Sequence, residues 1–363
     1  MRKWIASFFL LPSLLLGQEA PNIIFMIGDG MGLSQMSSAL FSGEGRPHYL
    51  RFPVVGLSQT SSSSHKITDS AAGATAFSCG VKTYNGAIGV GPDSLALETI
   101  LEYLEKRGWN SGLVATSSIT HATPASYYAH VDSRRKEFII AEQLLSSPVD
   151  FVAGGGQEFF FSRLDKRNLY PAFADANFLL DTQQLQFPRQ WDLDKRYAYL
   201  LAKDGMPRML DGRGDFLPRA TEMAFSYLSA KGAPFFLMIE GSQIDWGGHA
   251  NDGDYVLSEM LDFDAAMGKV LDFAAADGNT IVVVTADHEC GGFALVSEEV
   301  EVPFRGKQRD YDSLRYAFNS GGHSATMVPV LAYGPKAESF GGIYQNTALY
   351  HRLMAILRAY ADE

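Results

Sequence analysis

The chain has 363 residues, 46% of them hydrophobic and 20% charged, an ordinary globular balance with enough apolar mass for a substantial core. A formal net charge of −11 argues against non-specific nucleic-acid or anionic-membrane binding and leaves an anionic substrate possible only where local cations line the site. Two cysteines, Cys79 and Cys290, are too few for a disulfide framework and read as packed free thiols.

From the N-terminus, Arg2 and Lys3, an apolar run from Trp4 to Leu16 and the small residue Gly17 read as a secretory signal over residues 1–17. No Cys follows it, so no lipid anchor is expected, and the segment is short for a membrane span. The expected location is periplasmic or secreted, with no membrane anchor. Short runs rich in Ile, Val, Phe and Leu at 23–27, 112–115, 149–153, 235–239, 281–285 and 328–333 have the character of buried parallel strands. Helical spacing lies between them, at Leu95 to Arg107, Lys136 to Leu145, Pro218 to Lys231 and Tyr255 to Ala276, three of these stopping at or near a Gly. Alternation of this kind predicts an α/β fold, a parallel-rich central sheet sandwiched by helices on both faces, with residues 18–363 as one domain. The irregular interval Gln157 to Phe216 is expected to hold helices and loops outside the main sheet, and Val302 to Asn319 to be a short charged insertion near the site.

The stretch Thr68-Asp69-Ser70-Ala71-Ala72-Gly73-Ala74-Thr75 places a hydroxyl beside a carboxylate and follows them with small residues. A helix starting at Ser70 would offer free N–H groups and a positive dipole end to an anion such as phosphate. Taken alone, an Asp-Ser pair is most simply a helix cap. Other acids gather at the ends of strand-like runs: Asp29 after Ile27, Glu240 after Ile239, and Asp287 with His288 after Thr285. In an open α/β sheet these positions converge on one crevice. Asp245 and His249, four apart, face one side of a helical turn, and His323 adds a further nitrogen donor. Such a concentration of buried acids needs cations to offset repulsion and desolvation. His48, His65, His130 and His351 have no comparable context and read as surface or packing residues.

Together these residues resemble the alkaline phosphatase family, in order from Asn22 to about Pro335. The motifs are Ile27-Gly28-Asp29-Gly30, Thr68-Asp69-Ser70-Ala71-Ala72, His121-Ala122-Thr123-Pro124-Ala125, Val131-Asp132-Ser133-Arg134, Glu240 to Asp245 with His249, Thr285-Ala286-Asp287-His288, and Gly322-His323. The resemblance implies Ser70 as nucleophile; Asp245, His249 and His323 on one zinc; Asp29, Asp287 and His288 on a second; and Asp29, Thr123 and Glu240 on a magnesium. Arg134 would clamp phosphate, with Asp69 orienting it or capping the helix. His121 and Trp246 stand where the enteric bacterial form has Asp and Lys, so His121 is expected near the third metal, which is left open to another divalent ion, and Trp246 near substrate. The implied substrates are small phosphate monoesters, with no specific nucleic-acid partner and a possible homodimer. A phosphodiesterase of the same superfamily and a non-catalytic phosphate- or metal-binding protein are the alternatives.

Overall fold

The computed structural model describes residues 20–361; the expected signal segment lies outside the described residues. In chain order the strands are β1 (Asn22–Gly28), β2 (Val54–Gln59), β3 (Asn110–Ser118), β4 (Phe151–Gly155), β5 (Phe178–Asp181), β6 (Arg196–Leu200), β7 (Phe235–Gly241), β8 (Thr280–Thr285), β9 (Glu289–Cys290), β10 (Ala294–Val302), β11 (Gly306–Ala317), β12 (His323–Ser324), β13 (Val328–Tyr333) and β14 (Gly342–Gln345). Ten form one sheet in the order β14-β2-β13-β8-β1-β7-β3-β4-β6-β5. Its neighbours run parallel, except that β13 is antiparallel to both β2 and β8.

Why the central strands are continuous apolar runs is visible in β1. Ile23, Phe25 and Ile27 enter the core on one face of the sheet, and Ile24 and Met26 enter the core on the other. Side chains alternate across a strand, so a strand covered on both faces needs hydrophobic residues at every position. The first core is closed by Ser70–Cys79, Glu137–Ser146 and Thr347–Ala361, which contribute Phe77, Ile140, Leu144, Leu353 and Leu357. The second is closed by Phe216–Ala230 and the long Gly253–Asp277 helix, through Leu217, Met223, Met260, Phe263 and Met267. That long helix is bounded by an Asp252 side chain accepting from Tyr255 N at 3.1 Å and by Gly278 at φ 74°.

Three expectations change. β5 and β6 lie within the interval 157–216 and extend the main sheet at one edge, so that interval is not wholly outside it. In β6, Tyr197 and Tyr199 join one core and Ala198 and Leu200 the other, a mixed composition that hides a buried strand. The helix read from Leu95 is Ile100–Glu105, because Thr99 and Glu102 form a reciprocal capping box there and Leu95 is left exposed. The charged stretch after Val302 is the returning half of a two-stranded ribbon, β10 paired with β11, that begins at Ala294. Cys79 and Cys290 are buried and unpaired.

The register aligns the strand ends: Gly28 sits opposite Gly241, and Ile27 opposite both Glu240 and Thr285. Residues that follow β1, β2, β3, β7 and β8 therefore emerge along one edge of the sheet.

Candidate active site

Ser70 is the first residue of its helix and is nearly buried, with Oγ 3.4 Å from His288 Nε2. Asp69 caps that helix: Ala72 N and Gly86 N each donate to its Oδ1 at 3.0 Å. Its Oδ2 accepts from Arg134 Nη1 at 3.2 Å, so the carboxylate both caps and orients. The small residues after Ser70 serve close approach, since a Cβ added at Gly73 would fall 2.9 Å from the Cβ of Asp287.

Beyond β7, the helix Gln243–Ala250 carries Asp245 and His249, while β12 brings His323 back to them. His249 Nδ1 faces the carbonyl oxygen of Gly321 at 2.8 Å, and His323 Nδ1 faces that of Thr68 at 2.9 Å. A ring nitrogen against a carbonyl must carry the proton, so in the neutral rings both Nε2 atoms keep their lone pairs. Those two atoms stand 3.1 Å apart, with the Asp245 carboxylate 3.4 and 3.5 Å away. Two nitrogens this close beside a carboxylate suit a shared cation.

Asp29, Asp287 and His288 form a second group with ligand atoms within 4.8 Å of one another, and Asp29, His121 and Glu240 a third. His288 Nε2 lies 3.2 Å from Asp287 and 3.4 Å from Asp29. Both oxygens of Asp29, with Asp245 Oδ1, Asp287 Oδ2 and Glu240 Oε1, are buried without a hydrogen-bond partner. Such orphaned acceptors are costly unless a cation meets them. Burial and then the Asp287 carboxylate push Asp29 well above the carboxylate range, whereas Asp287, against its own burial, is held low by His288. Burial lifts Glu240 to about 7, opposed by the hydroxyls of Ser242 and Thr123. These residues fit divalent metal ions: the first group pairs two histidine nitrogens with a carboxylate, and the second and third each offer two carboxylates and one histidine.

His121 sits at the junction of this third group and Arg134. Its Nε2 is 3.0 Å from Arg134 Nη2 and must accept there, and burial followed by that guanidinium pushes it down to about 3. Trp246 meets the His121 ring edge-on with centroids 6.1 Å apart, and its far edge rests on Gly205, where an added Cβ would fall 2.5 Å from it. Thr123 is fully buried in the short turn Ala122–Ala125.

Several supporting residues escaped the sequence reading. Ser242 Oγ and Ser117 Oγ donate to Glu240 Oε2 at 2.6 and 3.1 Å. Gln243 Nε2 donates to the carbonyls of Thr116 and Met206, and Tyr255 donates to Gln243 Oε1. Ser242 and Gln243 lie inside the Glu240–Asp245 motif and were findable there; Ser117 carries no local signal.

A family model for alkaline phosphatase matches residues 20–314. The chain belongs to the alkaline phosphatase family. Alkaline phosphatase 3 of Bacillus subtilis is 32% identical over 418 residues, covering 94% of this chain and 89% of that protein. The solved alkaline phosphatase of the Antarctic bacterium TAB5 is 46% identical with a TM-score of 0.89, covering 94% of this chain and 98% of that one. A variant of that TAB5 enzyme, also 46% identical and with a TM-score of 0.90, was solved with Mg bound in its M3 site. This chain is accordingly a metal-dependent phosphatase, an enzyme that hydrolyses phosphate monoesters.

Proposed function

We propose that this phosphatase transfers the phosphoryl group of a monoester to Ser70 and then to water. The observation that carries the reading is the position of Ser70 Oγ, at a helix N-terminus and 3.4 Å from His288 of the second donor group. Asp245, His249 and His323 would hold one zinc, Asp29, Asp287 and His288 the other, and Asp29, Thr123 and Glu240, with His121 alongside, a magnesium or another divalent ion. When bound, these ions would lower the pKa of the attacking hydroxyl and of water and neutralise charge on the transferring group. The protein's own part is positioning. The N–H groups at the start of the Ser70 helix and the Arg134 fork would receive the non-bridging phosphate oxygens, with Asp69 fixing the fork. Trp246 would bound the substrate side of Arg134 through His121.

Residues 18–363 would act as a single catalytic domain exported by residues 1–17, and no helix among the described residues is long and apolar enough to cross a membrane. The resemblance further suggests a homodimer, which sedimentation of the purified protein would check. The test of the mechanism is Ser70→Ala: turnover of a simple aryl phosphate should fall to background while phosphate still binds, and acid-quenched wild type should yield a phosphopeptide containing Ser70. Near-normal turnover in the variant would refute the assignment.

A further inference from the structure

The two-residue bridge between β9 and β12 sets His323 directly opposite Cys290. Directly paired residues of an antiparallel bridge project from the same face, so the thiol accompanies the imidazole. Cys290 Sγ and the ligand atoms of Asp245, His249 and His323 all lie within 4.8 Å of one another. The backbone that carries the thiol is held on both sides. The Cys290 N–H donates to Gly30 O at 3.1 Å, its carbonyl accepts from Gln35 Nε2 at 2.8 Å, and its Cβ lies where side chains on Gly30 or Gly248 would come within 3.0 and 2.9 Å. Asp245, 5% exposed, meanwhile aims an unpartnered Oδ1 into the same space.

We propose that Cys290 is a sulfur donor to the metal ion held by Asp245, His249 and His323, making that position a site of one oxygen, two nitrogens and one sulfur. The inference rests on reading those three residues as one metal site. On binding, the thiol proton leaves to solvent and a sulfur–metal bond replaces it. Zinc accommodates a fifth ligand, so the sulfur does not by itself close the position to substrate. A thiolate also biases the site toward zinc, cobalt or cadmium and away from magnesium, calcium or manganese, whose preferred donors are oxygens.

The test replaces zinc by cobalt(II) in the purified full chain and records its absorption. A thiolate-to-cobalt charge-transfer band in the near ultraviolet is expected in wild type and in Cys79→Ala. It should vanish in Cys290→Ser and in Cys290→Thr, which is closer to cysteine in bulk, while the visible d–d bands persist. A wild-type spectrum without the band, or a band that survives in a folded Cys290 variant, overturns the proposal. The readout is independent of turnover. A band in an inactive protein would refute the catalytic reading and leave the sulfur ligand standing, and activity without the band would do the reverse.

Discussion

Asp69 receives the guanidinium of Arg134 at 3.2 Å with the same carboxylate that caps the Ser70 helix. The two roles separate by substitution. Asp69→Asn keeps an acceptor for Ala72 N and should leave the thermal midpoint close to wild type, while Asp69→Ala should cost about 1 kcal/mol for the lost cap. Both free Arg134, and ordering one such side chain costs about 0.5–1.5 kcal/mol, so the inhibition constant for inorganic phosphate should rise by about two- to tenfold in each. Equal phosphate inhibition in wild type and variants would show that Asp69 does not orient the clamp.

Gly73 allows the Ser70 helix to press on Asp287, with 2.9 Å between the Cβ atoms that an alanine there would create. Gly73→Ala should lose about 1–3 kcal/mol to overpacking despite the better helix propensity of alanine. Displacement of Asp287 should also show as bound metal lost on dialysis. Denaturation midpoints and metal content measured on the same preparation test both consequences.

Removing the metals should expose the cost of assembling these acids. Asp29, Glu240 and Asp287 are fully buried and Asp245 nearly so. Prolonged chelation should lower the thermal midpoint, and zinc added back should restore it. A ligand at a thousand times its dissociation constant contributes about 4 kcal/mol per site, which is several degrees or more for a domain of this size. An unchanged midpoint after verified metal removal would count against all three groups.

His130, four residues before Arg134, makes a pH-dependent contribution. Its Nδ1 faces Gly89 O at 2.7 Å and its Nε2 faces Glu102 Oε1 at 2.9 Å, and only the imidazolium donates to both. The Glu102 hydrogen bond raises His130, and Glu102 is lowered because its bonds to His130 and Thr99 outweigh its burial. A raised histidine contributes stability in full below its unfolded value near 6.5, lost as pH climbs through the folded value. The lowered glutamate contributes above about 4.3 and loses it on acidification. The destabilisation caused by His130→Ala should therefore be largest between about pH 4.5 and 6.5 and shrink toward pH 9, by on the order of 1 kcal/mol. Denaturant titrations of both proteins at pH 6 and pH 9 provide the comparison.

The central strands were legible because burial on both faces leaves no polar position, as Ile23 to Ile27 and Ile281 to Val284 illustrate. β2 and β14 were not, since Val55 and Ile343 face outward and the apolar pattern breaks. β6 hid behind Arg196, whose guanidinium donates to the carbonyls of Ser147, Val149 and Ala176 in place of pairing with an acid. At the site, Asp29, Glu240, Asp287 and His288 could be read from the motifs because each lies at the end of a strand, and Asp245 with His249 because they share one helical turn. What could not be read was set by contacts far apart in sequence: the Thr68 and Gly321 carbonyls that fix two histidine tautomers, and the bridge that puts Cys290 opposite His323.

The reversal of a single strand decides what the crevice contains. Because β13 runs against its neighbours, its first residue, Val328, lies at the edge where β1, β7 and β8 end, and the segment preceding it reaches that edge as well. A six-residue strand spans about 20 Å. Had β13 followed the direction of the others, the approach to it would deliver His323 to the far side of the sheet, about that distance from Asp245. The other candidate donors leave their strands at this edge, and His323 arrives at it before its strand begins, so the chain direction of one inner strand decides whether these side chains can meet at all.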